Sequence, residues 1–122
     1  MHTYIVNVTA KPGHNDQVAR FYRDMEPLYE GTKGFHGRKI FQAKTGTMAE
    51  AVYRIYTAEE LAQHAEPPHE DPGTQFIIIE QWESIDDRMH FSKNLAGGRS
   101  KNLIPHLGPQ HSHEFYEDIS VG

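Results

Sequence analysis

Residues 76–82 read Phe-Ile-Ile-Ile-Glu-Gln-Trp, the most hydrophobic stretch of the chain. A short continuous apolar run of this kind predicts a β-strand that is covered on both faces. Ser84 follows as a helix N-cap, with Asp87 at the third helical position, so the strand is predicted to lead directly into a helix. Gly97 and Gly98 end that helix. The segment therefore forms one strand–helix unit.

A second strand–helix unit is predicted at the start of the chain. Residues 3–9 are rich in β-branched side chains and predict a strand, and the Lys-Pro-Gly turn at 11–13 follows it. Asn15 or Asp16 is predicted to cap the next helix, and Pro27 to kink or end it. The apolar stripe of this helix consists of Val18, Phe21, Tyr22, Met25 and Tyr29. The residues of the later helix that are predicted to face the core are Ile85, Met89, Phe91, Ser92 and Leu95.

The remaining segments complete the predicted sheet. Strands are expected over residues 37–43 and 111–119, and residues 51–56 alternate in polarity and predict a further hairpin strand. Thr57 and Glu60 have capping-box spacing, which predicts a short helix to about residue 65. Residues 66–73 contain three prolines and predict an acidic loop.

The predicted order of elements is strand, helix, strand, an extra strand with a short helix, strand, helix, strand. Without the extra piece this is βαββαβ, the ferredoxin-like arrangement of the α+β class. Both helices of such a sheet lie on one face, so the other face needs a cover. In a chain this small the economical cover is a second copy, and we therefore expect a homodimer.

Length and composition limit the possible functions. The 122 residues predict one domain, 1–122. The net charge of −5 and the scattered basic residues disfavour nucleic acid and anionic membranes as partners. The absence of cysteine excludes disulfides, thiolate catalysis and cysteine-ligated metals. No apolar stretch has the length of a membrane span, and no leader peptide is recognisable, which together predict a cytoplasmic protein.

Four stretches together resemble the antibiotic biosynthesis monooxygenase family of dimeric α/β-barrel proteins. They are the opening strand with AKPG, the MEPLYEGTKGFHG segment, the FIIIEQWES junction and the terminal HEFYED segment. Roughly residues 45–73 are interpreted as an insertion between the second and third strands of the family. The resemblance implies a cofactor-independent monooxygenase that uses O₂ on a quinol-like or polycyclic aromatic small molecule. A substrate that forms a stable anion can itself donate an electron to O₂, so the protein has to hold the anion and manage one proton.

Three residues are candidates for the chemistry. Asn7 is polar within an apolar strand and could orient a substrate oxygen, although a solvent-facing asparagine is an equal alternative. Trp82 is the sole tryptophan and could wall an aromatic pocket and donate its indole N–H, or it could simply pack in the core. His90 could act as a base near neutral pH, or lie on the surface.

Four further residues are candidates for substrate binding. Tyr22, Met25 and Tyr29 could line a cavity between the first helix and the sheet, and Phe91 could line it from the later helix. The alternative for side chains at this spacing is a plain core stripe.

Two other functions stay open at this point. His111 and His113 would share one face of a strand and, with His106, could bind a divalent metal, or the chain could bind haem. The third possibility is a non-catalytic dimeric module that binds a small molecule, because this barrel hosts unrelated functions.

Overall fold

The computed structural model describes residues 1–63 and 73–122 and has an α+β architecture. Four strands form one antiparallel sheet in the order β2-β3-β1-β4, as the ferredoxin-like prediction requires. The strands are β1 (His2–Ala10), β2 (Phe35–Gln42), β3 (Thr74–Trp82) and β4 (Leu107–Tyr116). The α-helices of the described residues are α1 (Asn15–Asp24), α2 (Glu26–Tyr29), α3 (Thr47–Ile55), α4 (Ala58–Gln63) and α5 (Ile85–Phe91). None of them is long and apolar enough to cross a membrane.

One face of the sheet, here called the helix face, carries the core. The central strands β1 and β3 alternate, so every second side chain points towards the helices. The buried helix-face positions on these two strands are Tyr4, Val6, Val8, Ala10, Thr74, Phe76, Ile78, Glu80 and Trp82. From the other side they are covered by Val18, Ala19, Tyr22, Met25, Tyr29, Phe91 and Leu103. The hydrophobic stripe predicted for the first helix is confirmed in these contacts, with Phe21 partly buried against the same cluster.

Helices α1 and α2 follow one another with a break at Met25. Pro27 lies in the first turn of α2, where a missing backbone N–H costs nothing, so the predicted interruption at this proline is confirmed. The predicted cap is wrong, because α1 begins at Asn15 itself. Its N-cap is His14, which makes no side-chain capping bond.

Helix α5 begins as predicted, since Ser84 Oγ accepts a hydrogen bond from the Asp87 backbone N–H at 3.1 Å. Its buried side was predicted only in part. Phe91 is buried, but Ile85 and Met89 are exposed, and Arg88 takes the inward position instead. A π-helical turn (Ser92–Ala96) and two short 3₁₀ turns then lead into β4, which begins four residues earlier than predicted.

The insertion between β2 and β3 contains α3 and α4. The strand predicted over residues 51–56 is wrong, because residues 47–55 are helical. Ala, Met and Glu favour helix in this segment, and Met48, Val52 and Ile55 have helical spacing that outweighs the local alternation. The capping box before α4 is confirmed by reciprocal bonds between Thr57 and Glu60. Residues 64–72, which include the end of the predicted helix and most of the predicted loop, lie outside the described residues.

The opposite face of the sheet, here called the open face, has exposed apolar side chains. Asn7, Ile77 and Phe41 form one row across β1, β3 and β2 on this face. Ile77 is 36% exposed and Phe41 50% exposed. The apolar run of β3 was predicted to be covered on both faces, and within a single chain it is covered fully only on the helix face.

Candidate functional site

A cavity of about 210 Å³ lies between the sheet and the helices on the helix face. Its walls include residues of the strands β1, β3 and β4 and of the helices α1, α2 and α5. The lining is mostly aromatic and aliphatic, with a small group of polar side chains among Tyr4, Val6, Phe21, Tyr22, Met25, Tyr29, Glu80, Arg88, Ser92, Ala96, Gly97, Ser100, Leu103 and His113. An apolar pocket with a few convergent polar groups is the usual form of a small-molecule site.

Glu80 is the centre of the polar group. Its side chain is 1% exposed and accepts three hydrogen bonds. Tyr29 Oη donates to Oε2 at 2.8 Å, whereas Trp82 Nε1 and Arg88 Nε donate to Oε1 at 2.8 and 2.7 Å. A buried carboxylate requires such partners because its desolvation is costly. Glu80 thereby fixes the positions of three side chains from three different elements.

Arg88 is held on several sides, and one of its donor groups is left without a partner by the residues that the structure describes. Nε is bonded to Glu80, Nη1 donates to Ser92 Oγ, and the guanidinium carbon lies 4.2 Å from the centroid of the Tyr4 ring. Among the described residues, Nη2 has no hydrogen-bond partner. Arg88 lines the cavity, so Nη2 is the donor that a bound molecule can use.

Two of the three tyrosines that line the cavity, Tyr22 and Tyr29, have strongly raised pKa values and stay protonated at neutral pH. Burial is the main cause that raises the pKa of Tyr22 and of Tyr29 well above the ordinary value, and the negative charge of Glu80 adds to it. Both rings therefore offer an O–H group and an apolar surface. Neither phenol can act as a base near pH 7.

A second arginine is buried beside the cavity wall. The side chain of Arg38 is 0% exposed, and its guanidinium carbon lies 4.3 Å from the centroid of the Tyr29 ring. Nη2 donates to the Tyr22 carbonyl oxygen at 2.7 Å and to Glu26 at 2.5 Å. Nε and Nη1 are buried, and the described part of the chain offers them no hydrogen-bond partner. The half-exposed Glu26 only partly offsets this buried charge.

His113 stands at the edge of the cavity on β4. It pairs with Val6 of β1 and so points to the helix face. Burial is the main cause that lowers its pKa, and the charges of His111 and Arg88 lower the pKa further. The ring is therefore neutral at pH 7 and can both donate and accept a hydrogen bond.

The residues predicted to bind substrate fall mostly at this cavity. Tyr22, Met25 and Tyr29 line it, and Phe91 lies one layer behind, with its ring centroid 4.4 Å from that of Tyr29. Each of them is also part of the core, so the two interpretations of this stripe describe the same side chains.

The three predicted catalytic residues are not brought together. Asn7 points to the open face, where its amide donates to Ser112 Oγ at 3.2 Å beside a separate hollow of about 260 Å³. Trp82 is fully buried on the helix face, and its indole N–H is already bonded to Glu80. His90 is exposed on α5 and lines neither hollow.

The histidines proposed as metal ligands do not converge either. His111 and His113 lie edge to face, with ring centroids 5.6 Å apart. His106 instead contacts His14, with 2.9 Å between the two Nδ1 atoms. Within residues 1–63 and 73–122, no group of three or more His, Asp or Glu residues has the geometry to hold a metal ion.

Sequence reasoning overlooked Glu80 and Arg88, the two charged residues of the site. The signal for Glu80 was present, because it occupies a helix-face position in an otherwise apolar strand. Arg88 gave no such signal, since an arginine on an amphipathic helix usually faces water.

The matches of this chain to known proteins come from the comparison of structures. No family model matches the sequence, and no curated protein matches it. Solved structures do match, and three of them each align with 98% of this chain. The first is a Nitrosomonas europaea protein provisionally assigned as an antibiotic biosynthesis monooxygenase, at 12% identity, a TM-score of 0.67 and 100% of its own chain covered.

The second structure is that of a named oxygenase. It is SnoaB, a cofactor-independent oxygenase from Streptomyces nogalater, at 9% identity, a TM-score of 0.63 and 94% of its chain covered. The chain has the fold of the antibiotic biosynthesis monooxygenases. PA3566 from Pseudomonas aeruginosa has the same fold, at 15% identity, a TM-score of 0.63 and 94% of its chain covered. At these identities the likeness concerns the fold, whereas the chemistry depends on the side chains of this chain.

Proposed function

We propose that this protein is a monooxygenase of the antibiotic biosynthesis monooxygenase type, which oxidises a hydroxylated aromatic small molecule with O₂ in the helix-face cavity. The observation that carries the proposal is the cavity itself. Aromatic rings form much of its wall, and Arg88, which is bonded to the Glu80 carboxylate, has a guanidinium donor, Nη2, that no residue of 1–63 or 73–122 occupies. The likeness to SnoaB supports the proposal and is the reason for expecting no bound cofactor.

The volume of the cavity limits the size of the substrate that can bind in it. Its volume of about 210 Å³ is below the roughly 300 to 1,000 Å³ common for small-molecule pockets. One- or two-ring quinols therefore fit the proposal better than polycyclic aromatics.

The side chains suggest how such a substrate would be activated. Its rings would lie against Tyr22, Phe21 and Met25, and its oxygen would face Arg88. A donor fixed in advance stabilises an oxyanion strongly in a site that excludes water. An electron-rich anion held in this way can pass an electron to O₂, and the resulting radical pair can combine to a hydroperoxide of the substrate. Cleavage of its O–O bond with loss of water then leaves a hydroxyquinone, so that one oxygen atom enters the product, the other becomes water, and the substrate supplies all four electrons.

Trp82 has an indirect role in this proposal. It supports Glu80 instead of touching the substrate, because its N–H is occupied. Asn7 and His90 have no role in the helix-face cavity.

The homodimer is part of the proposal. Ile77 and Phe41 are exposed apolar side chains on the open face, which suits this face to a second copy, and such an interface would leave the helix-face cavity available. Cytoplasmic location stays a prediction from the sequence.

The test combines binding with oxygen uptake on metal-stripped protein. Melting temperatures are measured anaerobically with 1,4-dihydroxynaphthalene, catechol, a hydroxyanthrone, haem and divalent metals, since a ligand of the native state raises the melting temperature. O₂ uptake is then followed for each compound that binds, against its autoxidation without protein. Catalysed uptake with the naphthalene diol supports the proposal. Stabilisation by haem or metal alone would contradict it and favour the alternative class.

A further inference from the structure

Two histidines from distant parts of the sequence meet outside the helix-face cavity. His14 precedes α1 and His106 precedes β4, and their Nδ1 atoms lie 2.9 Å apart. The two rings are inclined to each other by 47°, with their centroids 5.2 Å apart. Neither ring lines the helix-face cavity or the hollow of the open face. The pair is therefore separate from the residues of the proposed active site.

Backbone hydrogen bonds hold both histidines in position. The Lys11 N–H donates to the His106 carbonyl oxygen at 2.9 Å and joins the two segments directly. The His14 N–H donates to the Lys11 carbonyl oxygen and the His106 N–H to that of Leu103, each at 2.9 Å. His14 is the N-cap of α1, but its side chain makes no capping bond, so the ring is available for His106. A ligand would therefore meet two nitrogens that the backbone has already brought together.

The distance between the two nitrogens matches that of two neighbouring ligands on one metal ion. Imidazole nitrogens bind a metal such as Zn²⁺ at about 2.0 to 2.1 Å, so two of them at an angle of about 90° lie about 2.9 Å apart. A tetrahedral angle would separate them by about 3.3 to 3.4 Å. An angle of about 90° belongs to the square-planar and tetragonal sites that Cu²⁺ and Ni²⁺ prefer.

From this geometry we propose that His14 and His106 bind one divalent transition-metal ion through their Nδ1 atoms, with Cu²⁺ or Ni²⁺ favoured over Zn²⁺. In the free protein one ring donates an N–H to the other. When the ion binds, that ring carries its proton on Nε2 instead, as the other tautomer of neutral imidazole does. Both residues are only partly buried, so water can complete the coordination shell. This metal site does not rest on the proposed oxygenase function.

The charges beside the pair have opposing effects on a bound cation. His14 lies at the N-terminus of α1, where the partial positive charge of the helix dipole opposes a cation. Asp16 in the first turn of the helix offsets part of this effect, and the net charge of −5 favours cations in general. The affinity therefore comes from the two imidazole nitrogens, which Mg²⁺ and Ca²⁺ do not prefer as ligands.

The experiment titrates the metal-stripped full chain with Cu²⁺, Ni²⁺, Zn²⁺ and Mg²⁺ by isothermal calorimetry. One Cu²⁺ per chain should bind more tightly than Zn²⁺, and Mg²⁺ should give no binding heat. Pulsed electron paramagnetic resonance at one equivalent of Cu²⁺ should show two coordinated imidazoles. The absence of a one-to-one Cu²⁺ site, or a bound Cu²⁺ with fewer than two imidazoles, overturns the proposal.

Substitution of either histidine locates the site. His14→Gln and His106→Gln each remove one nitrogen and should each weaken Cu²⁺ binding by more than about 10-fold, because even the loss of a residue that only supports a ligand costs about 10- to 100-fold. The double variant should bind little more weakly than either single variant, since the first substitution already breaks the chelate. Circular dichroism confirms that each variant is folded. Wild-type Cu²⁺ affinity in both folded single variants refutes the assignment to this pair.

Two control variants exclude other histidines as the source of the binding. His111→Gln breaks the contact between His111 and His113, whose ring centroids lie 5.6 Å apart, and should leave the Cu²⁺ affinity unchanged. His2→Gln removes the ring beside the N-terminal amine, which together can chelate Cu²⁺, and should also leave it unchanged. A site that is lost in either control and kept in His14→Gln contradicts the proposal. The titration contains no quinol, so its outcome is independent of the oxygen-uptake test.

Discussion

Replacing Glu80 by glutamine tests the role of the buried carboxylate that accepts three hydrogen bonds in the site. Both Trp82 and Arg88 donate to the same atom, Oε1, so a glutamine carbonyl oxygen can keep both bonds. The new amide nitrogen then faces the Tyr29 hydroxyl, which can turn round and accept. What is lost is the negative charge beside a buried arginine. Breaking such a pair costs about 3 to 5 kcal/mol, and because the bonds are preserved we expect about 3 kcal/mol.

Urea unfolding followed by circular dichroism measures this loss. With a slope of about 1 to 3 kcal/mol per M for a small protein, the midpoint should fall by about 1 to 3 M at fixed protein concentration. Glu117→Gln, at an exposed acid near the C-terminus, should change the free energy of unfolding by less than about 0.5 kcal/mol. The double variant E80L/R88M should recover most of the loss, because a well-packed apolar pair often replaces a buried ion pair without cost. A Glu80→Gln midpoint within error of wild type would refute the reasoning.

Three further predictions concern other parts of the molecule. Ile77→Lys on the open face should convert the expected dimer to a folded monomer in light scattering, whereas Ile104→Lys should not; a dimer that survives Ile77→Lys argues against this interface. Gly73→Ala should lower the free energy of unfolding by more than about 2 kcal/mol, because its φ is +101° and a Cβ would lie 1.8 Å from the Ala10 carbonyl oxygen; Gly13→Ala, which meets no atom within 4 Å, should cost about 1 kcal/mol. Burial lowers the pKa of the His113 ring in the folded protein, so the ring binds a proton more readily in the unfolded chain. The contribution of the neutral ring to the free energy of unfolding is therefore full above about pH 6.5 and is lost as the pH falls. His113→Gln should therefore flatten the fall in urea midpoint between about pH 6.5 and 5, and an unchanged profile would contradict this.

The fold was predictable because local signals and the global pattern agree. The apolar run at 76–82, the stripe on the first helix and the serine cap before α5 each define one element and its buried side. The topology then follows from the order of elements. The prediction for the insertion was wrong because an alternation of polarity over six residues is compatible with both a strand and a helix. The strong helix formers of α3 favour the helix.

The candidate site was predictable only in its apolar part. Tyr22, Met25 and Tyr29 could be identified from the sequence because residues that line the cavity and residues of the core recur at the same helical spacing. Asn7 was assigned by its residue type within a strand, and strand register alone determines that it faces the open side. The Glu80–Arg88 pair joins two elements, and single-sequence periodicity contains no information on which charged side chains are paired in the interior.

The central claim is that oxidation takes place in the helix-face cavity. Its most direct test compares catalysed O₂ uptake with 1,4-dihydroxynaphthalene between protein whose cavity is open and a variant whose cavity is filled. Ala96 lines the cavity, so Ala96→Phe should fill it, and Asn94→Phe adds the same ring at an exposed position nearby. The account predicts uptake above autoxidation for wild type and Asn94→Phe, and loss of that uptake for folded Ala96→Phe. Equal uptake by the filled variant, or none by the wild type across the quinol panel, would contradict it.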